Sequence, residues 1–227
     1  HDISLLKKQI SSLNSGENSL RFGATLTVGE FTMPPILAAY LKRHPEAQIS
    51  MQVADTKQLL EQLDAGVIDF AIIEGSFPQA VYDSLLFRKE RFISVCGREY
   101  AFHQPIRHIS DLLRERLLVR EQGSGSRHIL ETYLENRNLM LADFPFQAEV
   151  SNIAALKSLT AAGCGVTFLY EVAVRQELQS GVLREIPLKD FSIEHDFSFV
   201  WRKNSLFSDR YRSIYQFLKD EMGENGT

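Results

Sequence analysis

The chain has no long apolar run, no surplus of basic residues, few cysteines and no recognisable catalytic motif, and each absence excludes something. No stretch approaches the ~18 consecutive apolar residues of a membrane-spanning helix, so no membrane partner is expected. No apolar export leader is legible at the start either. Lys and Arg number 25 against 29 Asp and Glu, a formal net charge of −4. A free-standing nucleic-acid binder carries a basic face; any contact with DNA is therefore expected to lie in a part absent from this chain. The two cysteines, Cys96 and Cys164, sit in apolar runs (FISVCG and AAGCGV). They read as two buried thiols. Neither has a second cysteine or a histidine at zinc-ligand spacing, so no metal or cofactor is assigned.

Catalytic sets are missing as well. The six histidines, His1, His44, His103, His108, His128 and His195, form no HExxH or HxH pair. His44, ahead of Pro45, reads as a helix-end cap, and His195 as an exposed residue before a strand. No Gly-x-Ser-x-Gly elbow occurs. No catalytic residue is assigned, although triads are arranged in space rather than in sequence.

What the chain does have is an ordinary globular composition: 227 residues, 44% hydrophobic and 24% charged. That suffices for one large domain or two lobes. Ile3, Leu6, Ile10 and Leu13 form a helical stripe that ends in the polar loop Ser15–Ser19. LRFGATLTV reads as a strand. Thr32 with Pro34 and Pro35 reads as a helix start, because proline fits the first turn. Ile49, Met51 and Val53 alternate as in a strand. Asp55 or Thr56 caps a helix bearing Leu59, Leu60 and Leu63, which Gly66 ends. Phe70–Ile73 is wholly apolar, as in a strand buried on both faces.

This βαβαβ order implies a parallel sheet covered by helices. It pauses at the extended segments 85–87 and 91–96, then restarts. Ser110 caps a short helix, 117–119 is a strand, and Gly123-Ser124-Gly125-Ser126 turns into a helix. Residues 146–150 form a strand, Ser151 or Asn152 caps the helix that Gly163 closes, and 166–169 is a buried strand. Extended residues 196–201 and an amphipathic helix capped by Ser208 follow. The expected architecture is α/β, two Rossmann-like lobes joined by two crossing strands. Its boundaries are 1–18 for a linker-helix end and loop, 19–96 plus 197–227 for lobe I, and 97–196 for lobe II.

In open parallel sheets ligands bind beyond the carboxyl ends of the strands. Those positions hold Thr25, Thr27, Asp55, Thr56 and Glu74 in the first series. In the second they hold Ser124, Ser126, Arg127, Ser151, Asn152 and Thr167. Hydroxyls and backbone N–H groups at helix starts favour anions, while Glu74 suits a ligand N–H or a cation. The Gly123–Arg127 loop lacks the Gly-Lys-Ser/Thr of a Walker loop and the third glycine of a dinucleotide fingerprint.

Five blocks in order carry a resemblance: LRFGATLTVGEFTMPPILAAYLKRHPEAQISMQV, LLEQLDAGVIDFAIIEG, GSGSR, SLTAAGCGVTFLY and ELQSGVLREIPL. The most specific parts are Leu63, Gly66, Asp69, Ala71 and Ile72, and the block Ala-Ala-Gly-Cys-Gly-Val. Over about residues 19 to 220 the chain resembles the effector-binding domain of LysR-type transcription regulators.

The resemblance implies a fold like type 2 periplasmic binding proteins, with a small-molecule effector, an anion, held in an interlobe cleft by the eleven residues named above. It implies a cytoplasmic regulator, a homotetramer whose effector domains pair side by side as dimers, the first helix of one lobe near the second lobe of its partner. DNA would be bound only through the winged helix-turn-helix, which is absent here, and residues 2–13 would end its linker helix. A transporter's extracytoplasmic solute-binding protein and a small transferase or dehydratase share the fold and stand as alternatives.

Overall fold

The computed structural model describes residues 19–224. The helical stripe Ile3–Leu13 and the linker reading of residues 1–18 lie outside the described residues. The chain divides into two compact units. One runs to Lys89 and resumes at Asp196; the other is Glu90–His195.

The first unit is built on three parallel strands, β1 (Ser19–Ala24), β2 (Gln48–Val53) and β3 (Phe70–Glu74). Ala24 of β1 lies opposite both Val53 of β2 and Ile72 of β3, so β1 and β2 end level and β3 runs two residues further, to Glu74. Every residue of β3 is buried, as its unbroken apolar run predicts. Two helices make the crossovers, α1 (Met33–Arg43) and α2 (Thr56–Asp64). Leu59 and Leu63 of α2 are buried against Ile68, Ala71 and Ile73. Each such leucine contributes about 2 kcal/mol by leaving water.

The strand expected over 20–28 stops at Ala24. Residues 26–43 are helical, and Val28–Thr32 winds as a π turn in which the Met33 N–H reaches the Val28 carbonyl. Thr32 therefore lies inside a helix rather than at its start. Pro34 and Pro35 supply no N–H to a helix, and the wider turn falls immediately before them.

The motif Leu63, Gly66, Asp69 has a plain physical content. Leu63 is buried, and Gly66 (φ 65°) takes the left-handed conformation that ends α2. Asp69 then accepts two hydrogen bonds from Arg21 of β1, at 2.9 and 3.3 Å.

In the second unit β5 (Leu117–Val119) lies between β6 (Gln147–Glu149) and β7 (Val166–Tyr170), parallel to both. β7 continues antiparallel onto β4 (Tyr82–Gly97), which also pairs with β8 (Leu183–Glu185). The two extended segments at 85–87 and 91–96 are thus one strand. β4 passes from the first unit into the second, and β9 (Ile193–Arg202) passes back to pair antiparallel with β3.

The helices of the second unit are α3 (Gly125–Glu135), α4 (Ile153–Ala161) and α5 (Glu171–Ser180). Neither α5 nor β8 was expected; no glycine or proline separates β7 from α5. Ser110 does not cap the short helix Ile109–Arg114. Its backbone donors at Arg107 and His108 go instead to the Asp111 carboxylate.

The last helix, α6 (Ser208–Glu224), packs on α1. Phe217 meets Tyr40 edge-on at 5.1 Å, and Arg43 pairs with the buried Glu221. Ser208 is its first helical residue and accepts from the Trp201 indole N–H at 3.3 Å.

Two close features lend themselves to test. A Cβ on Gly165 would lie 2.4 Å from the Arg116 carbonyl oxygen, a backbone atom that cannot yield. Gly165→Ala is expected to cost about 1–3 kcal/mol in urea unfolding; an unchanged midpoint would refute the close approach.

The second is Glu115, fully buried. Burial opposes its charge, but the His103 N–H, the Tyr100 hydroxyl and the His103 ring hold its carboxyl below the ordinary value. A lowered folded-state pKa gives stability that is present above the unfolded value, about 4.3, and is lost as pH falls through the folded value. Glu115→Gln is therefore expected to lower stability at neutral pH and to flatten the acid side of the stability profile. An acid limb as steep as the parent's would contradict this.

Candidate functional site

The carboxyl ends of β1, β2 and β3 gather the first unit's polar residues. Thr25 is 4% exposed, Thr27 2% and Glu74 7%. The Thr25 hydroxyl accepts from the Glu74 N–H at 3.2 Å, and the Thr27 hydroxyl donates to Glu74 Oε1 at 3.4 Å. The Thr56 hydroxyl donates to the Glu74 carbonyl at 3.2 Å. Four of the expected residues thus form one hydrogen-bonded group around Glu74. Asp55 stands beside it but is exposed, and its carboxylate caps α2 by accepting from Gln58 N–H at 2.8 Å. Of Asp55 and Thr56, Asp55 is the cap.

In the second unit Ser124 caps α3, its hydroxyl accepting from Arg127 N–H at 3.3 Å. Ser126 is 4% exposed. Arg127 donates to Glu131 at 2.7 Å, to Glu149 at 2.6 Å and to the Arg120 carbonyl at 3.2 Å. The hydrogen bond to Glu131, with Glu149 behind it, raises Arg127 above the ordinary arginine value while burial works against that. Ser151 and Asn152 follow β6 and are exposed; Asn152 is the cap of α4, accepting from Ala155 N–H at 2.9 Å. Thr167 lies inside β7, short of its carboxyl end, and donates to the Leu118 carbonyl at 2.7 Å.

Arg120 was not among the expected residues. It directly follows β5 and is 4% exposed. The rule that singled out Glu74, a charge placed at the end of an apolar strand, would have found it in Leu-Leu-Val-Arg.

The other chemical candidates divide between core and surface. Cys96 is buried and free, and burial pushes its thiol up to about 11. Cys164 is free but only half-buried, so the pair of buried thiols reduces to one. His195 is half-buried within β9 and meets the Tyr170 hydroxyl at 3.1 Å, rather than lying exposed ahead of the strand. Among the described residues no group of three or more His, Cys, Asp or Glu could hold a metal ion, and no helix is long and apolar enough to cross a membrane.

The first unit thus gathers hydroxyls around a carboxylate, and the second carries guanidinium groups at a strand end and a helix start. Residues 14–223 match the LysR substrate binding domain family, and the chain belongs to that family. It is a binding family and not an enzyme family.

Among its relatives is a probable RuBisCO transcriptional regulator of Gracilaria tenuistipitata var. liui, 25% identical over 215 residues, covering 91% of this chain and 66% of that protein. The chain spans just under two thirds of the length of the curated relatives it matches. Among solved structures it is similar to the reduced form of OxyR, with a TM-score of 0.73 at 22% identity, covering 90% of this chain and 95% of that one. It is also similar to the regulatory domain of CcmR from Synechocystis PCC6803 in complex with 2-PG, with a TM-score of 0.76 at 18% identity, covering 89% and 96%. The fold is that of LysR regulatory domains, periplasmic-binding-protein-like of type 2.

Proposed function

We propose that this chain is the effector-sensing domain of a cytoplasmic LysR-type transcription regulator and that its effector is a small anion carrying a hydrogen-bond donor. The observation that carries the reading is the group formed by Thr25, Thr27, Thr56 and Glu74 at the carboxyl ends of three parallel strands. Ser124, Ser126, Arg127, Ser151, Asn152 and Thr167 are the second unit's contribution, with Asp55 completing the first. A carboxylate in the first group asks for a donor on the ligand, whereas the helix start and guanidinium groups of the second favour its negative charge. The CcmR regulatory domain, solved with 2-PG, is a neighbour in fold. The solute-binding alternative shares the fold but not the family match.

In this reading a winged helix-turn-helix outside the chain contacts DNA, and the effector acts by population shift. It binds one arrangement of the regulator better than another. A near-complete flip needs about 5 kcal/mol of differential affinity.

Thermal unfolding with sulfate, phosphate, carboxylates, amines and neutral sugars tests the ligand class. An anion at a hundredfold excess over its Kd is expected to add about 2.7 kcal/mol, and Ser126→Ala to reduce that gain. Stabilisation by amines or sugars alone would overturn the anion reading.

The same reading has effector domains pairing as dimers, and in the full-length regulator as a tetramer. β2 is the edge strand of its sheet, and Val53 and, on α1, Leu41 remain 42% and 44% exposed. Light scattering at micromolar concentration is expected to give a dimer mass that Leu41→Glu lowers; a monomer for the parent chain refutes pairing by this domain alone.

A further inference from the structure

We infer that Arg120 reads the negative charge of the effector in the second unit, and that Glu121 holds its guanidinium until an oxyanion arrives. This rests on the ligand-binding reading above and adds the group recognised: a carboxylate, phosphate or sulfate.

Arg120 stands at the carboxyl end of β5, the middle of three parallel strands, where open sheets take their ligands. It is 96% buried, being 4% exposed. A guanidinium is a permanent cation, and burying one is strongly unfavourable unless it is paired and hydrogen-bonded. Glu121 supplies the pairing, accepting from Nε and from Nη2 at 2.8 Å each. Yet Glu121 is the next residue along the chain. Neighbours in extended backbone point to opposite sides, so the two meet only because the chain turns here. Glu121 is itself 34% exposed and can return to water.

The donors do not balance. A guanidinium has five N–H groups, and Glu121 takes two of them. Among the described residues nothing accepts from Nη1. The edge formed by Nη1 and Nη2 is therefore able to hold an oxyanion through two parallel bonds.

Arg127, in the first turn of α3, is in a different condition. Two carboxylates, Glu131 and Glu149, match its charge, and it also fixes the Arg120 carbonyl. Of the two arginines, Arg120 is the one whose charge is matched by a single carboxylate.

The opposite signs of two substitutions make the test. Calorimetric titration with inorganic phosphate and with sodium sulfate, at constant ionic strength, reads the affinity. Glu121→Gln removes the competing carboxylate and is expected to tighten binding by about threefold. Arg120→Gln is expected to weaken it by about tenfold or more, and Arg120→Lys to keep part of it. If circular dichroism shows Arg120→Gln unfolded, Glu121→Gln and Arg120→Lys decide alone.

Unchanged or weaker binding by Glu121→Gln overturns the inference, as does parental affinity in the Arg120 variants. In that event loss of affinity in Ser126→Ala leaves the wider ligand-binding reading standing. Absence of phosphate and sulfate binding by the parent chain refutes the inference outright.

Discussion

Parallel pairing in register is the constraint on which the rest depends. Ala24 faces Val53 on one side and Ile72 on the other, so the next residues of three strands arrive at the same level. Each strand end then has to connect to a helix or a loop, and the residues that make those connections, Thr25, Asp55, Thr56 and Glu74, are brought together by the sheet itself. A slip of one residue would turn every side chain of β1 to the other face. Buried Phe22, stacked on Phe70 at 5.0 Å, and Phe70 on Phe199 at 4.5 Å, oppose such a slip.

The same principle gives the second unit a different chemistry. β5 lies between two parallel partners, and its end carries Arg120 rather than a hydroxyl. Around it the carboxylates of Glu121, Glu131 and Glu149 are shared unequally between two arginines. One unit thus gathers hydroxyls around a carboxylate, and the other holds guanidinium groups beside a helix start.

Much of the fold was legible because its signals are local. Alternation at Ile49, Met51 and Val53, the unbroken run at Phe70–Ile73, and the caps, Asp55 from the pair Asp55 or Thr56 and Asn152 from the pair Ser151 or Asn152, all act within a few residues of themselves. The misreadings share a cause too. The run 20–28 is rich in β-branched and aromatic residues, yet Thr27 and Val28 are helical, because burial of the turn and the bond from Thr27 to Glu74 outweigh propensity. Ser110 was the better cap by type, but the Asp111 carboxylate reached the free N–H groups. His195 became half-buried through Tyr170, far away in the chain.

From its residues alone the chain determined its alternation of strands and helices, its family, and the places where polar groups meet strand ends. Only the tertiary structure decided which of those groups are already engaged. The Thr167 hydroxyl belongs to the Leu118 carbonyl, Arg127 to Glu131 and Glu149, and Thr27 to Glu74, whereas Arg120 has the single carboxylate of Glu121. The physical reason is that helix, strand and cap preferences are set by near neighbours. Hydrogen-bond partners of buried polar groups come from distant segments that only folding brings within reach.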